Sequence, residues 1–478
     1  MIELPAIRWG EPYQSLDVDE VKHFYTGEPV AKVHCVGAGI IQRDAKKARQ
    51  ARKALQAMSP AELVEKLKVA GELFESGTVT VGDESTGGGR QSPADFIQQQ
   101  SATTGMPMSM CEANVVKNAF VLKNIDQILD CLTRGLDLNI LARGYGEEGR
   151  GVTVSYQAQC DALGAVLPSN SPGVHTLWLP VIALQMGLVL KPGSSEPWTP
   201  YRVFAAMTEA GIPREAFCLY PGAGADIGGA ILSSCRRAMI FGGPQTVDQY
   251  AGNPRVQVHG PGYSKIIFGD DQVDNWEQHL DLMVESVYKN GGRSCINATS
   301  IYASRHTTEI AEALAAKLGP IEVLPPDDPN AGLAAFTIEG AAPAIYGAIE
   351  RDVEASPLVT NMTQPHGDRV VERPPVAYLR PVVLHHASHE SESRNKEYMF
   401  PMVNVVECPQ AKMLEAMEYT LVGTAITEDD DFRLDLISST QIDRLNLGPI
   451  PTPKLDWLQP HEGNLIEFLY QNRALQLA

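Results

Sequence analysis

Short apolar runs alternate with segments of helical periodicity between residues 160 and 260. The runs have the length and composition of buried strands, whereas the segments at residues 171–187, 199–211 and 223–234, and the one after Gly243, are typical of helices. Such alternation indicates βαβ units, so we predict an α/β fold with a Rossmann-like doubly wound parallel sheet. The predicted strands are Gly164-Ala-Val-Leu-Pro168, Leu188-Val-Leu190, Phe217-Cys-Leu-Tyr220, Ala238-Met-Ile-Phe241 and Val256-Gln-Val258.

A second α/β region is predicted for residues 262–450. Helices are expected at residues 274–288 and 309–318, and strands at 300–303, 376–379 and 403–407. Earlier in the chain, Ser59-Pro60-Ala-Glu62 has the pattern of a capping box with proline in the first turn, which predicts a helix start. The apolar run at residues 465–470 must be buried against another part of the protein. Together with residues 151–156 it is a candidate subunit contact.

Composition limits the class of protein. The chain has 478 residues, 44% of them hydrophobic, and a net charge of −19. This acidic balance argues against nucleic acid and anionic membranes as partners, because both require an excess of Lys and Arg. The eight cysteines lack metal-ligand spacing, and we find neither a signal-peptide pattern nor a long apolar run, so we expect a cytoplasmic protein without membrane insertion.

One cysteine has an unusual setting, in the segment Asn290-Gly-Gly-Arg-Ser-Cys295 between an amphipathic helix and a hydrophobic strand. A thiol reacts as its thiolate, which needs partial exposure, nearby positive charge and room for a substrate. Gly291 and Gly292 leave that room, and Arg293 brings charge. The alternative is an ordinary small buried residue, which most cysteines are.

Other candidate groups carry less chemistry. The histidines of His385-His386-Ala-Ser-His389 lack the ligand spacing of a zinc site, so no metal is expected. The glycine-rich stretch at residues 82–89 is interpreted as a loop, and the glycines of Gly222-Ala-Gly224-Ala-Asp-Ile-Gly228 suit helix packing as well as a ligand.

Five motifs, in order, give the chain a resemblance to the aldehyde dehydrogenase superfamily. Leu167-Pro-Ser-Asn170-Ser-Pro resembles the family's Pro-Trp-Asn-Phe-Pro turn, and Lys191-Pro192 with Glu196 and Thr199-Pro200 resembles Lys-Pro-Ser-Glu-x-Thr-Pro. The remaining three are Ile240-Phe-Gly-Gly243 for Phe-Thr-Gly-Ser, the Cys295 segment for Gly-Gln-x-Cys, and Glu397-Tyr-Met-Phe400-Pro for Glu-Glu-x-Phe-Gly-Pro.

The resemblance implies a set of roles. Cys295 would attack an aldehyde carbon, the Asn170 amide and the Cys295 N–H would hold the oxyanion, and hydride would pass to NAD or NADP. Lys191 and Glu196 would hold the adenosine ribose, and Gly243 would let the pyrophosphate approach. The remaining implied cofactor-binding residues are Gly222, Glu397 and Phe400.

The segment Val258-His259-Gly-Pro-Gly-Tyr-Ser264 departs from the family pattern. Hydrolytic members have Glu-Leu-Gly-Gly-Lys-Ser here, and their Glu activates water; this chain has His259 in its place. Gly-Pro-Gly is more similar to the CoA-acylating and acyl-CoA reductase branch, whose thiol acceptor needs little help from a base. His259 could be an alternative base, a polar contact to cofactor or substrate, or a histidine without chemistry.

We therefore expect an NAD(P)-dependent enzyme acting on an aldehyde or an acyl thioester, with a preference for coenzyme A as co-substrate. The alternatives are oxidation to a carboxylic acid and a non-catalytic nucleotide-binding relative. The resemblance also implies a dinucleotide-binding domain (residues 1–138 and 160–258), a catalytic domain (259–452) and a small β oligomerisation arm (139–159 and 453–478). The assembly would be a homodimer or homotetramer.

Overall fold

The computed structural model describes residues 2–82, 88–222 and 225–478. The chain divides into two compact units. The first contains Met1–Thr104, Cys111–Gly260 and Asp456–Ala478, and the second contains Gly105–Met110 and Pro261–Leu455. The predicted glycine-rich loop at residues 82–89 and the glycine pattern from Gly222 both include positions outside the described residues, namely 83–87 and 223–224.

A seven-stranded sheet forms the centre of the first unit. Five of its strands, from Val256–His259 to Phe217–Leu219 in spatial order, run parallel as predicted. Each is an apolar run followed by a crossover connection. Two N-terminal strands extend the sheet in antiparallel fashion, which the sequence did not predict. In spatial order the strands are Val256–His259, Arg237–Phe241, Ala162–Val166, Gly187–Lys191, Phe217–Leu219, Ala6–Arg8 and Glu11–Tyr13.

The single helix predicted for residues 171–187 is wrong in type. The segment forms two 3₁₀ helices, Pro172–Leu177 and Leu179–Leu184. Pro180 has no N–H to donate to the carbonyl four residues earlier, so an α-helix cannot continue through it. The tighter turn remains possible, and the Trp178 N–H donates to the His175 carbonyl at 3.2 Å.

The capping box is confirmed. The Ser59 side chain accepts a hydrogen bond from the Glu62 N–H, and the Glu62 carboxylate accepts one from the Ser59 N–H. The helices of the first unit, with the boundary helix Met108–Lys123, are Ala38–Ala45, Ala48–Gln56, Pro60–Ser76, Pro93–Thr104, Ile125–Leu132, Leu138–Arg143, Trp198–Glu209, Ala225–Ser234, Pro244–Val247 and Leu465–Leu469. Arg214–Ala216 and Asp248–Tyr250 are 3₁₀ helices.

Three small sheets complete the first unit. One joins Ile2–Leu4, Pro29–His34 and Val18–Lys22, and a hairpin joins Val79–Val81 to Gly89–Gln91. The third joins Tyr145–Glu147, Thr153–Ala158 and Tyr470–Asn472, so the segment near residue 470 pairs with the hairpin of its own chain. Leu465, Ile466 and Leu469 are buried in the core of the first unit, which is what covers the apolar run.

The second unit has its own seven-stranded sheet, with the α/β character predicted from the sequence. Only its edge strand Val359–Asn361 is antiparallel to its neighbour. The order is Val359–Asn361, Val382–His386, Met402–Glu407, Ala298–Ala303, Ser264–Phe268, Thr420–Ile426 and Ile442–Leu447. A separate hairpin pairs Val370–Arg373 with Val376–Leu379.

The helices of the second unit cover both faces of this sheet's core. They are Leu280–Tyr288, Thr307–Leu318, Ala341–Ala355, Gln410–Met417 and Asp430–Ser438, with 3₁₀ helices Val273–His279, Lys289–Gly292 and Gln364–His366. The helix predicted at 274–288 is therefore α-helical only in its second half, because Asn275 departs from helical geometry with φ −103° and ψ 15°. Among the described residues, no helix is both long and apolar enough to cross a membrane.

Candidate active site

The carboxyl edge of the first sheet collects five of the predicted site residues. Lys191 and His259 end their strands, and Asn170, Gly222 and Gly243 follow the ends of three others. Ligands of doubly wound sheets bind at this edge, where successive loops leave a crevice. The topology therefore brings these five positions to one side of the first unit.

A cavity of about 660 Å³ opens at this edge. Gly193, Ser194 and Gly222 line it. The N-terminal three-stranded sheet contributes two cations and two carboxylates, and its Lys22 pairs with Glu20 at 3.7 Å. A Cβ on Gly193 would lie 2.6 Å from the Pro168 carbonyl oxygen, so only glycine lets the two loops approach so closely. The volume is typical of a site for a small molecule.

Lys191 and Glu196 differ in their availability to a ligand. Lys191 is buried, which lowers the pKa of its amine, and its Nζ donates to the Pro192 carbonyl at 3.5 Å. Glu196 is fully buried and does not line the cavity. Its carboxylate pairs with His175 at 3.1 Å and accepts hydrogen bonds from Gln100 and Thr199. These contacts hold the first turn of the helix Trp198–Glu209 and satisfy buried polar groups. The ribose contact expected of Glu196 has no geometric support.

In the second unit, Cys295 follows a run of left-handed backbone. Asn290, Gly291 and Gly292 have φ of 53°, 61° and 64°. A Cβ on Gly292 would lie 2.4 Å from the Pro401 nitrogen, so the turn needs glycine for its packing as well as for its conformation. The expected room at Gly292 is thus occupied by the backbone of residues 400–401, and a Cβ on Gly291 would lie 2.9 Å from the Met110 side chain.

Hydrogen bonds fix the residues on either side of Cys295. The Ser294 N–H donates to the Asn297 side-chain oxygen at 3.0 Å, and the Asn297 amide nitrogen donates to the Ser286 and Lys289 carbonyls. The Ser264 hydroxyl donates to the Cys295 carbonyl at 2.8 Å. Sequence motifs assign no role to Asn297 or Ser264, although Ser264 ends the segment that begins at Val258 and Asn297 follows the Cys295 segment.

The backbone of Gly262 lies against that of Cys295. A Cβ on Gly262 would be 1.8 Å from the Cys295 carbonyl oxygen. Gly262 is held from both sides, because its carbonyl accepts a hydrogen bond from the Leu421 N–H at 2.8 Å and its own N–H donates to Glu397 at 3.2 Å. The glycine of the Gly-Pro-Gly segment therefore sets the position of the cysteine loop.

Glu397 and Lys265 hold the same loop. The Glu397 carboxylate accepts the Tyr263 N–H at 2.6 Å, and the Lys265 amine donates to the Tyr263 carbonyl at 2.6 Å. Burial raises the pKa of Glu397 to about 7, and burial lowers the pKa of Lys265 to about 7. These bonds keep Tyr263 at φ 46°, a strained value for an aromatic residue. Lys265 was missed because no motif marks it.

Glu397 makes stability depend on pH. Its folded pKa lies above its ordinary value of 4.5, so the folded state binds more protons, and its contribution to stability is lost as pH rises through about 7. Between pH 5 and pH 8, the unfolding free energy of the parent should therefore fall by roughly 2 kcal/mol more than that of the Glu397→Gln variant. Urea unfolding at both pH values measures this difference. The exposed Glu392, changed to Gln, is the control; an equal pH response of E397Q and E392Q would contradict the prediction.

Phe400 and Arg293 complete the surroundings of the turn. Phe400 is 4% exposed and packs in a core cluster of the second unit, so its ring is not open to a cofactor within that unit. The Arg293 guanidinium donates to the Ala335 carbonyl at 3.4 Å, and burial lowers its pKa to about 10. Among the described residues it has no carboxylate in ion-pair range.

His259 is buried in the first unit. Its Nδ1 is hydrogen-bonded to Glu462, and its ring stacks on Phe241 with centroids 4.6 Å apart. Its Nε2 is buried and makes no hydrogen bond to any described residue. A buried polar atom left in this state costs about 1–3 kcal/mol. Glu462 was missed by sequence reasoning, since it is 203 positions away in no motif.

The remaining cysteines and histidines lack the features of a reactive site. All eight cysteines are thiols, and burial raises the pKa of six of them; Cys295 and Cys131 are the two that are half-buried. His386 is buried between Ser391 and Asn404, and His385 bonds to Thr307. Within residues 2–82, 88–222 and 225–478, no group of three potential ligands could hold a metal ion.

Comparison with known proteins identifies the family of the chain. The model of the aldehyde dehydrogenase family matches residues 11–443. The chain belongs to the aldehyde dehydrogenase family. Members with curated descriptions include a putative NADP⁺ succinate-semialdehyde dehydrogenase of Mycobacterium ulcerans, which is 26% identical over 56% of this chain and 51% of its own length. A 5-carboxymethyl-2-hydroxymuconate semialdehyde dehydrogenase of Escherichia coli is 23% identical over 55% of this chain and 58% of its own. This aldehyde dehydrogenase family member thus aligns with little more than half the length of these relatives.

Solved structures share the fold of this family member across nearly its whole length. An aldehyde dehydrogenase from Brucella melitensis biovar abortus superposes with a TM-score of 0.77 at 16% identity, covering 99% of this chain and 96% of the other. An indole-3-acetaldehyde dehydrogenase in complex with NAD⁺ gives 0.78 at 16% identity, over 99% and 96%. At such identities the likeness establishes the fold. None of these relatives is described as CoA-acylating, so the preference for that branch gains no support.

Proposed function

We propose that the protein oxidises an aldehyde to a carboxylic acid with NAD or NADP, through a thioester on Cys295. The observation that carries this proposal is the setting of Cys295, a half-buried thiol in a loop braced by Ser264, Gly262 and Asn297. A nucleophile needs such a fixed backbone with an accessible sulfur. Family membership supports the same role.

The proposed reaction begins with attack of the Cys295 thiolate on the aldehyde carbon. By the family resemblance, the Asn170 amide and the Cys295 N–H hold the resulting oxyanion, which is worth about 3–4 kcal/mol per donor. A bound nicotinamide supplies the capacity to accept hydride from the thiohemiacetal carbon. Water then releases the acid from the Cys295 thioester.

The residues that would hold the cofactor lie at the carboxyl edge of the first sheet. Gly193, Ser194 and Gly222 line the cavity that would hold adenosine, and Lys191 lies at the end of the adjacent strand. Of the two lysines that line this cavity, Lys32 is the one that makes no ion pair with a described residue, so it could meet a phosphate. Gly243 caps a helix with no atom within 4 Å of a Cβ built on it, which leaves space for a pyrophosphate.

Succinic semialdehyde is the first substrate to test. Both relatives above are named for semialdehydes, and the succinate compound carries a second, anionic group. Arg293, two positions before Cys295, is a guanidinium without a carboxylate partner among the described residues. Such a cation favours an anionic substrate.

Product analysis tests the proposal. The protein is incubated with succinic semialdehyde and NAD⁺ or NADP⁺ in heavy-oxygen water, with and without CoA. We expect a carboxylic acid that carries solvent oxygen, formed at the same rate with or without CoA. Formation of an acyl-CoA that depends on added CoA would instead establish the acylating reaction. Cofactor binding without turnover of a panel of aldehydes, together with an unreactive Cys295, would identify a non-catalytic relative.

A further inference from the structure

His259 and Glu462 form a buried pair in the first unit. The side chains are 4% and 7% exposed, and the His259 Nδ1 hydrogen-bonds to the Glu462 carboxylate. The Gln257 amide donates to the main-chain carbonyl of Glu462, which ties the segment carrying Glu462 to the strand carrying His259. The pair is therefore fixed through both its side chains and its backbone.

The second nitrogen of His259 is available as a base. Because the carboxylate accepts the Nδ1 proton, the lone pair of the neutral ring lies on Nε2. That nitrogen is buried and makes no hydrogen bond to any described residue. Stacking on Phe241 at an interplanar angle of 12° and the bond to Glu462 leave the ring a single orientation. An orienting carboxylate of this kind is what a histidine base requires.

We propose that Glu462 is the positioning residue of a His259–Glu462 dyad, in which His259 activates the water that hydrolyses the Cys295 thioester. This inference rests on the proposed function. His259 precedes Gly262, whose backbone abuts Cys295, by three positions in the chain. The dyad replaces the glutamate that hydrolytic relatives use at the position of His259.

The step conserves atoms and charge. Nε2 takes a proton from water while the water oxygen forms a bond to the thioester carbon. The tetrahedral intermediate then breaks its carbon–sulfur bond, which releases the carboxylic acid and the Cys295 thiolate. The proton on His259 passes to solvent or to the departing sulfur, and no oxidant or further reactant is needed.

Rapid kinetics with the aldehyde and NAD⁺ or NADP⁺ separates acylation from hydrolysis. In H259Q and E462Q we expect an initial burst of reduced cofactor, because acylation does not need the dyad and hydrolysis becomes the slow step. Steady-state turnover should fall about 100-fold in H259Q and about 10-fold in E462Q. A small thiol, 2-mercaptoethanol, should restore turnover in both variants, because it takes the acyl group without a base. E462D should recover part of the hydrolytic rate.

Glu467→Gln is the matched control, since Glu467 is an exposed glutamate on the neighbouring helix Leu465–Leu469 and its change alters charge equally. Unchanged turnover in E462Q would overturn the dyad. A loss of the burst, of steady-state turnover and of melting temperature together would also overturn it, because Glu462 would then have only a structural role. Absence of any reduced cofactor from the parent protein, in the first turnover as well as in the steady state, would instead contradict the proposed function, so the two failures are distinguishable.

Discussion

Changing Cys295 to serine is expected to lower turnover by at least about 1,000-fold with little change in stability. A serine hydroxyl is a far weaker nucleophile than a thiolate, and no other group can carry the acyl intermediate. The side chain is half-buried and its loop is fixed mainly through the backbone, so the fold should tolerate the change. Stopped-flow measurement of reduced cofactor, with thermal unfolding as the companion, measures both effects.

Cys131 provides the control for that variant, because it is the other half-buried thiol among the eight. Cys131→Ser should keep full activity. Iodoacetamide should inactivate the parent protein and the C131S variant at equal rates, with one modified cysteine per chain in C131S. Activity in C295S, or inactivation that follows modification of Cys131, would remove Cys295 from the mechanism.

Changing Gly262 to alanine is expected to lower turnover at least about 100-fold and the free energy of unfolding by about 2–4 kcal/mol. The new methyl group would lie 1.8 Å from the Cys295 carbonyl oxygen, and backbone bonds to Leu421 and Glu397 prevent Gly262 from moving away. The cysteine loop must therefore shift. Urea unfolding and burst kinetics measure the two consequences.

Gly347→Ala is the matched glycine replacement in the same unit. Gly347 lies inside the helix Ala341–Ala355, and its nearest new neighbour would be Arg351 at an ordinary 3.6 Å. The free energy of unfolding of this variant should rise by about 0.5–1 kcal/mol, because alanine is the better helix former, and its activity should not change. A G262A protein as active as G347A would show that the close approach to Cys295 has no catalytic consequence.

The sequence predicted those parts of the fold whose signals are local. The five parallel strands of the first sheet are apolar runs bounded by turns, and the capping box at Ser59 and Glu62 is read within four residues. The strand Ala6–Arg8 has no such signal, because it joins the sheet at Leu219, which lies more than 200 positions later, and among the described strands Glu11–Tyr13 pairs only with Ala6–Arg8. The helix predicted at 171–187 contains Pro180, and a proline inside a helix indicates that the helix is not a regular α-helix.

The candidate site divides in the same way. Cys295 was found because glycines and a neighbouring strand frame it locally, whereas Lys265 and Glu462 act through contacts that only the folded chain creates. Glu196 shows the opposite case. A motif assigned it to a ligand, but the loop around it is longer than the family pattern, and its carboxylate turns inward to His175 and Thr199. Motif order identifies a family more securely than it identifies the direction of a side chain.

The first unit is made of separate stretches of chain, and this decides the order in which the two units are completed during synthesis. Residues 456–478 belong to it, and Tyr470 pairs with Ala158, more than 300 positions earlier. A ribosome produces the whole of Pro261–Leu455 before this strand can join its partner, so the later unit has all its residues first. A nascent chain stalled before residue 462 would already contain Cys295 but not the carboxylate that orients His259. On the proposed dyad, hydrolytic competence would then arise only after residue 462 has been added, later than the nucleophile.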